Sequence, residues 1–324
     1  MIDFKKKFSE FNNKNVLIIG DSMIDAYTWG EINRKSPEAP VPVIEVKKHE
    51  KRLGGAANVA LNIQSLGANP ILCSVIGNDN NGVIFKKLLK ESSICSKKIL
   101  VDSNKKTTIK TRVIANNQHQ IRIDEEDTNE IKNEDKFIKI VNQEIKKTDV
   151  IILQDYNKGT LTRKIISEII KTAHKNNIPT IVDPKKDNFK HYKNCTVFKP
   201  NLKELKEGMN SVVKSDDLAE ISKISKNLLD EISAECILVT LSENGIGCRT
   251  KSDFEQTPAF NRDIVDVSGA GDTVISVASL CLAVKLKYSL MSKLSSLAGG
   301  LVCKKVGVVP IDKNELLDEA LIKL

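Results

Sequence analysis

The chain has few aromatic residues, no closely spaced cysteines and no long apolar run. Only 4% of its 324 residues are aromatic, and a single tryptophan is among them. The seven cysteines lie far apart, and no pair has the C-x-x-C spacing of a zinc ribbon. Because their number is odd and their spacing wide, the sequence predicts neither a disulfide framework nor a structural zinc site. We expect most of them to be small apolar core residues in a reducing compartment.

Charge and hydropathy exclude further classes of protein. The formal charge is +8, from 50 Lys and Arg against 42 Asp and Glu, and the short lysine clusters have no aromatic residues between them. This pattern is weak support for nucleic-acid binding and is equally typical of a protein with an anionic small-molecule substrate. The first residues form no apolar signal segment, and the apolar stretch at residues 274–284 is too short to span a membrane. We therefore expect a soluble cytoplasmic protein that binds neither nucleic acid nor a membrane.

What the sequence does have is an alternation of strand-like and helix-like segments. Apolar runs typical of buried strands lie at Asn15–Gly20, 71–76, 150–153, 179–182 and Cys236–Thr240. Helix-like segments lie between them at 56–66, 81–90, 131–146, 161–174 and 216–232. This alternation predicts an α/β fold with a mostly parallel central sheet and helices on both faces. No linker or repeat divides residues 1–324, so we expect a single domain.

Two segments break the alternation. Residues 40–46 and 107–124 are predicted to form short antiparallel strands, with a polar turn at residues 116–118 in the second segment. Such a small sheet can simply cover an edge of the main sheet. It can also form a lid across the carboxyl ends of the parallel strands, where open α/β sheets bind ligands. We place this lid at about residues 26–50 and 105–125.

A glycine-rich turn, DVSGAGDT at residues 266–273, precedes an apolar helix-like segment. Its last carboxylate, Asp272, falls where the helix begins, and there it could simply stabilise the helix N-terminus. Alternatively, the glycines expose backbone N–H groups to a bound anion, with Asp272 beside it. The turn is neither a P-loop, because no Gly-Lys-Ser/Thr follows, nor a convincing dinucleotide fingerprint, because no strand-like run ends at its first glycine.

Three other polar motifs allow a structural or a functional interpretation. Gly54, Gly55 and Asn58 form either a tight strand-to-helix turn or a close backbone approach to a ligand hydroxyl. Asp25, just past the first strand, is either solvated or part of a site. Asn201 and Glu204 share one helix face, as a capping box or as a pair that holds the waters of Mg²⁺ near a nucleotide phosphate.

Together these motifs resemble the ribokinase-like sugar kinases of the pfkB family. The family's N-terminal signature matches residues 54–58, its N-x-x-E element residues 201–204 and its C-terminal signature residues 266–273, in the same order and over essentially the whole chain. Residues 20–25, 36–43, 155–159, 183–185 and 266–275 are most similar to the kinases of heptose 7-phosphate, which act in lipopolysaccharide core synthesis. Many of these carry a nucleotidyltransferase domain with a His-x-Gly-His motif. None of the four histidines here has that spacing, so we expect no such domain.

The resemblance implies a phosphoryl transfer from ATP to the C1 hydroxyl of the sugar. Asp272 would be the general base, and the N–H groups of Gly269, Ala270 and Gly271 would form an anion hole for the transferred phosphoryl group. The residues that would hold ATP, beside the helices near Gly299, are Asn201, Leu202, Lys203, Glu204, Thr240 and Gly245. Asn201 and Glu204 would also bind Mg²⁺ through water.

The resemblance also implies how the sugar phosphate is held. Asp25, Gly54, Gly55 and Asn58 would bind hydroxyls, and Asp155 would line the site. The 7-phosphate needs a cation, and the preferred candidates are Arg112 and Arg122 of the lid, followed by Lys185 and Arg34. The sequence does not fix the oligomeric state, and a homodimer in which the lid strands pair, as in relatives, is one candidate. The requirement for a monovalent cation is left open.

Three alternatives compete with this interpretation. The chain could be a ribokinase-family kinase of another sugar or sugar phosphate, because only lid and substrate-loop residues would differ. It could be a sugar- or nucleotide-binding regulator without activity, against which the intact Asp272, glycine turn and N-x-x-E element argue. An RNA-associated protein is supported only by the net charge and would show strongly salt-dependent binding.

Overall fold

The computed structural model describes residues 3–116, 118–260 and 264–324 of the chain. Its strands are β1 (Asn15–Gly20), β2 (Ser22–Lys35), β3 (Pro42–Gly55), β4 (Asn69–Gly77), β5 (Ile99–Asp102), β6 (Ile109–Ala115), β7 (Gln118–Glu125), β8 (Val150–Gln154), β9 (Thr180–Asp183), β10 (Val197–Phe198), β11 (Cys236–Thr240), β12 (Ile246–Thr250) and β13 (Phe254–Thr257). Its helices are α1 (Phe4–Phe11), α2 (Ala56–Ser65), α3 (Asn80–Glu91), α4 (Glu134–Ile145), α5 (Arg163–Lys175), α6 (Leu202–Gly208), α7 (Leu218–Ile232), α8 (Ala270–Ala283), α9 (Tyr288–Val302) and α10 (Lys313–Lys323). No helix among these residues combines the length and the apolar character that a membrane crossing requires.

A nine-stranded sheet forms the centre of the fold, in the order β13-β12-β11-β10-β9-β8-β1-β4-β5. The strands from β11 to β5 are parallel, and β12 and β13 are added antiparallel at one edge. Neighbouring residues of β1 point to opposite faces, as the pleat of a strand requires. Ile18 belongs to an apolar layer with α1, α2, α3, α8, α9 and α10, whereas Ile19 belongs to a layer with α4, α5, α6 and α7. The predicted α/β fold with helices on both faces is confirmed.

A second, four-stranded sheet in the order β3-β2-β6-β7 forms the lid. Its extent differs from the prediction: β2 was not anticipated, β3 continues to Gly55, and β2 pairs with β6 in parallel rather than antiparallel fashion. These strands escaped detection because many of their residues are polar, among them the buried Ser22 and Asp25, so that the apolar alternation of a half-buried strand is weak. The predicted polar turn includes Asn117, which lies outside the described residues.

One junction between the lid and the main body lies where β2 begins and β3 ends. Ser22, where β2 begins, lies opposite Gly55, where β3 ends, and Asp21 connects β1 to β2. Gly55 has a φ of +59°, and the next residue, Ala56, donates its N–H to Asp21 O at 2.9 Å as α2 begins. A Cβ at Gly55 would overlap this same carbonyl oxygen. Only glycine therefore fits between the lid and the helix that follows it.

We expect Gly55→Ala to destabilise the protein by more than about 1 kcal/mol, because the left-handed backbone and the clash with Asp21 O act together. The measurement is the free energy of unfolding in urea. Gly300→Ala, inside helix α9, is the matched control and should not destabilise, since alanine is the better helix former. Equal stability of the Gly55 variant and wild type would show that this turn can relax.

Candidate active site

The predicted polar residues gather at the carboxyl ends of the parallel strands. Gly20, Gln154 and Asp183 lie side by side across β1, β8 and β9, and each is the last residue of its strand. The chain leaves all three strands at the same edge, where open α/β sheets bind their ligands. Lys199 reaches the same edge just after β10.

Asp272 lies in this region, in the first turn of α8. Helix α8 begins because Gly269 adopts a φ of +79°, which turns the chain sharply into the helix. The Asp272 carboxylate is buried and accepts hydrogen bonds from Asn58 Nδ2 (2.7 Å) and, on its other oxygen, from the Tyr156 hydroxyl (2.8 Å) and Gln154 Nε2 (3.1 Å). The donors come from two distant parts of the chain, α2 and the end of β8 with the loop beyond it, and they fix the carboxylate in one orientation.

Burial sets the proton affinity of Asp272. Removal from water raises its pKa to about 7, and the nearby carboxylates of Asp183 and Asp25 act in the same direction. Hydrogen bonds from Asn58 and Tyr156 oppose the rise, because they stabilise the charged form. A carboxylate with this pKa can both accept and release a proton near neutral pH, as a general base must.

The glycine turn before α8 is bordered by a buried cation. The Lys199 ammonium group forms an ion pair with Asp183 at 3.1 Å and is almost completely buried. A Cβ built on Gly271 would lie 3.9 Å from Lys199 Nζ, which places this charge directly beside the turn. The N–H of Ala270 donates to Val267 O at 3.2 Å, so its predicted part in an anion hole requires that this bond be exchanged.

Sequence reasoning gave no role to Gln154, Tyr156, Asp183 or Lys199. Asp183 and Tyr156 belong to the motifs that resemble heptose kinases, and Lys199 precedes the N-x-x-E element. Gln154, Tyr156 and Asp183 could have been found from their position just past the end of a predicted strand, whereas Lys199 follows β10, which was not predicted. Residues there converge on one edge whatever their separation along the chain.

Two buried carboxylates organise the loop that carries Tyr156. Asp21 accepts the backbone N–H groups of Tyr156, Lys158 and Thr160 at 2.8–3.0 Å. Asp155, predicted to line the substrate site, instead bonds within the protein: it accepts from the Tyr192 hydroxyl at 2.7 Å and has further donors in the same loops. Burial, reinforced by the Asp21 charge, raises the pKa of Asp155 to about 6.

The Asn201–Glu204 pair has the capping-box geometry. Asn201 Oδ1 accepts the Glu204 N–H at 2.8 Å, and Glu204 Oε2 accepts the Asn201 N–H at 2.9 Å. The other Glu204 oxygen forms an ion pair with Lys185, a predicted substrate ligand whose ammonium group also lies 5.5 Å from the ring centre of Tyr156. These contacts do not fit direct metal coordination, and the described residues contain no cluster of three or more acidic, His or Cys side chains that could hold an ion. Binding of Mg²⁺ through water by this pair stays a prediction.

A cavity of about 400 Å³ adjoins the glycine turn, and none of its lining residues belongs to the lid strands. Thr240, Gly245 and Gly299, predicted to contact the nucleotide, line it together with Ala270 and Gly271. The remaining predicted nucleotide residues lie elsewhere. Leu202 packs into the apolar layer below α6, and Lys203 is exposed and faces Glu207.

Of the two lid arginines predicted to bind the substrate, Arg112 is half-buried and Arg122 is exposed. Arg112 lies between the Asp25 carboxylate, 2.5 Å away, and the ring of Tyr27, whose centre is 5.5 Å from its guanidinium carbon. Arg122 lies opposite Arg112 in the β6–β7 ladder, on the same face, and is largely exposed. Gly54 passes so close that a Cβ would overlap the Asp25 carboxylate. These groups form a cationic face beside a buried acid.

Tyr27 supports this face from within the sheet. A second guanidinium, that of Arg52, lies 5.1 Å from the Tyr27 ring centre and donates to Val308 O at 3.0 Å. On the same strand, the ring of Trp29 stacks on Tyr27 with centres 6.0 Å apart. Of the other predicted phosphate ligands, Arg34 is exposed near the far end of β2.

Solved sugar kinases share this fold. Ribokinase from Arabidopsis thaliana, solved with ribose and ATP, matches with a TM-score of 0.74 over 96% of this chain and 99% of its own, at 16% identity. Phosphofructokinase-2 from Escherichia coli, solved with fructose 6-phosphate, matches with a TM-score of 0.75 over 95% and 98% of the two chains, at 17% identity. The molecule therefore has the ribokinase-like fold of sugar kinases.

Sequence comparison defines the family. Residues 13–314 match the model of the pfkB family carbohydrate kinases. The bifunctional protein HldE of Desulfatibacillum aliphaticivorans is 39% identical over 95% of this chain, and that of Campylobacter jejuni subsp. doylei is 38% identical over 96%. The chain spans 63% and 65% of the length of these two relatives. It belongs to the pfkB family of carbohydrate kinases.

We expect Tyr156→Phe to raise the pKa of Asp272 further, by about one unit, because the variant loses a hydrogen bond to the charged carboxylate. The measurement is a pH titration of the Asp272 carboxyl ¹³C resonance. Tyr288→Phe is the control, since its hydroxyl bonds to Glu235 and not to Asp272. An unchanged titration in Tyr156→Phe would mean that the hydroxyl does not stabilise the carboxylate.

Proposed function

We propose that residues 1–324 act as one cytoplasmic kinase domain, which transfers phosphate from ATP to the C1 hydroxyl of D-glycero-D-manno-heptose 7-phosphate. The product would be heptose 1,7-bisphosphate, a step toward ADP-heptose for the lipopolysaccharide core. The observation that carries the kinase chemistry is the buried Asp272, with a pKa of about 7, beside a glycine turn and a buried lysine. Support for the heptose comes from the motifs at residues 20–25, 36–43 and 155–159 and from the similarity to HldE proteins.

Asp272 would accept the proton of the C1 hydroxyl as its oxygen attacks the γ-phosphorus of ATP. The bond between that phosphorus and the β–γ bridging oxygen breaks, and ADP leaves. Asn58, Tyr156 and Gln154 hold the carboxylate in place, which leaves little reorganisation for the reaction. The N–H groups of the turn, the α8 dipole and Lys199 would stabilise the negative charge on the transferred group.

ATP would occupy the cavity lined by Thr240, Gly245 and Gly299, with its phosphates toward Gly271 and Lys199. The mostly apolar lining of this cavity suits a nucleobase. Bound Mg²⁺ would neutralise phosphate charge, with Asn201 and Glu204 acting on its waters. The role of the chain's own residues is to orient the hydroxyl, receive its proton and exclude water when the lid closes.

The lid would supply the specificity for a phosphorylated sugar. Arg112 and Arg122 lie on one face of adjacent strands, so a single phosphate can contact both guanidinium groups. Asp25, which holds Arg112, would meet sugar hydroxyls together with Gly54, Gly55 and Asn58. On the opposite face of β7, Ile121 and Ile123 are 58% and 49% exposed, which supports a homodimer formed through the lid.

We expect fast ATP consumption with heptose 7-phosphate, and little with unphosphorylated heptose, fructose 6-phosphate or ribose. Asp272→Asn should lower kcat by roughly 10²–10⁴-fold, the usual effect of losing a general base. Turnover with another acceptor instead would retain the kinase chemistry and overturn the choice of sugar. Binding without turnover on all four acceptors would favour a regulator.

We expect Arg112→Lys to raise KM for heptose 7-phosphate by roughly tenfold or more, since a bidentate contact to phosphate is lost. Arg122→Ala should raise it less, by up to about fivefold, because this side chain is exposed. Neither variant should change KM for ATP. Lys51→Ala, on the outer lid face, is the control. Wild-type behaviour of both arginine variants would place the phosphate elsewhere.

A further inference from the structure

A second cleft lies along helix α5, apart from the candidate active site. It encloses about 700 Å³ between one face of α5 and the loop that precedes β10. It shares no lining residue with the cavity beside the glycine turn. The proposed kinase reaction uses none of its side chains.

Five basic side chains converge on this cleft. Arg163, Lys171 and His174 lie on the same face of α5, because their spacing of eight and three residues follows the helical repeat. His191 and Lys193 face them from the loop. Within the described parts of the chain, no carboxylate pairs with any of the five, and none lines the cleft.

Two lysines just outside the cleft form ion pairs with carboxylates, in contrast to the basic residues within it. Lys164, next to Arg163, forms an ion pair with Asp135 at 2.8 Å. Lys190, next to His191, forms one with Glu231 at 2.9 Å. The five basic groups of the cleft therefore keep a positive charge that no lining carboxylate balances, and this charge can attract an external anion.

The charges are close enough to act on one another. Burial lowers the pKa of His191, and the positive charges of Arg163 and Lys193 lower it further. An anion bound among these groups would remove that repulsion and favour the protonated imidazole. A negatively charged ligand is thus attracted by several positive groups at once.

The loop side of the cleft is rigid. The Tyr192 ring, between the two basic loop residues, is buried, and its hydroxyl donates to Asp155 at 2.7 Å. Two residues further on, the Asn194 N–H donates to Ile232 O at 2.7 Å. The backbone that carries His191 and Lys193 is therefore held in place, which reduces the entropy lost when a ligand binds.

The size of the cleft indicates the kind of anion. Arg163 and His174 are eleven residues apart on α5, or about 16 Å at 1.5 Å per residue, so one phosphate cannot contact all five groups. The lining contains no Phe, Tyr or Trp on which unpaired bases could stack, which argues against single-stranded nucleic acid. We propose that this cleft is a second anion site, which binds a small molecule with two or more phosphate groups. Sugar bisphosphates and nucleoside di- or triphosphates share that chemistry.

The four histidines allow a direct test by NMR. His174 and His191 lie in the cleft, whereas His49 and His119 lie on the lid and report on the candidate active site. Titration with inorganic tripolyphosphate, and separately with fructose 1,6-bisphosphate, should shift the imidazole resonances of the first two and raise the pKa of His191. The relative affinities of the two probes show which source of phosphates the cleft prefers. The test does not depend on which sugar the kinase accepts.

Two double variants that remove the same number of charges, one inside the cleft and one outside it, serve as test and control. Lys171→Gln/Lys193→Gln should weaken tripolyphosphate binding at the cleft histidines by about tenfold or more, because two charge-assisted contacts are lost. Lys139→Gln/Lys226→Gln, exposed on α4 and α7, should leave it unchanged. Shifts at the lid histidines alone, equal weakening in both variants, or tighter binding of sulfate or of an oligothymidylate would each overturn the proposal.

Discussion

The structure depends on the burial of one carboxylate among donors that arrive from distant parts of the chain. A carboxylate removed from water must be hydrogen-bonded, or it takes up a proton. Asp272 on α8 is satisfied by Asn58 on α2, Gln154 at the end of β8 and Tyr156 in the loop beyond it. Helices α2 and α8 are thus tied to the end of β8 through one small group. Its raised pKa is the sign that the compensation is incomplete, and this leaves the group reactive.

Tyr156 links this carboxylate to the N-x-x-E motif at residues 201–204. Its hydroxyl donates a hydrogen bond to Asp272, and the ammonium group of Lys185 lies over its ring. Lys185 in turn forms an ion pair with Glu204. The two sequence interpretations of Asn201 and Glu204, as a capping box or as a pair that holds metal-bound water, therefore differ in their support. The capping box is present in the structure, and a metal-bound state would have to compete with Lys185 for one oxygen of Glu204.

The sequence predicted strands β1, β4, β8, β9 and β11 of the central sheet, but it did not predict β5, β10, β12 or β13, nor β2 of the lid. Runs such as Cys236–Thr240 are apolar because both faces of a parallel strand are buried, so pattern and structure agree. Strand β2 has no such signature, since its second half is only half-buried or exposed and one of its two neighbours, β6, is remote in the chain. The same limit applies to the site. Asp272 and the glycines were found through their motif, whereas the contacts of Lys199 and Gln154 exist only after the strands have been brought side by side.

The stacking of Trp29 on Tyr27 also has a spectroscopic consequence. Trp29 is the only tryptophan of the chain, so intrinsic indole emission arises wholly from the inner part of β2 in the lid. Its ring contacts Tyr27, which two guanidinium groups flank, and its Nε1 is buried without a hydrogen-bond partner among the described residues. Any rearrangement of that face changes the polarity around the indole. The protein therefore carries its own optical reporter of the lid, and the helices behind the sheet contribute nothing to that signal.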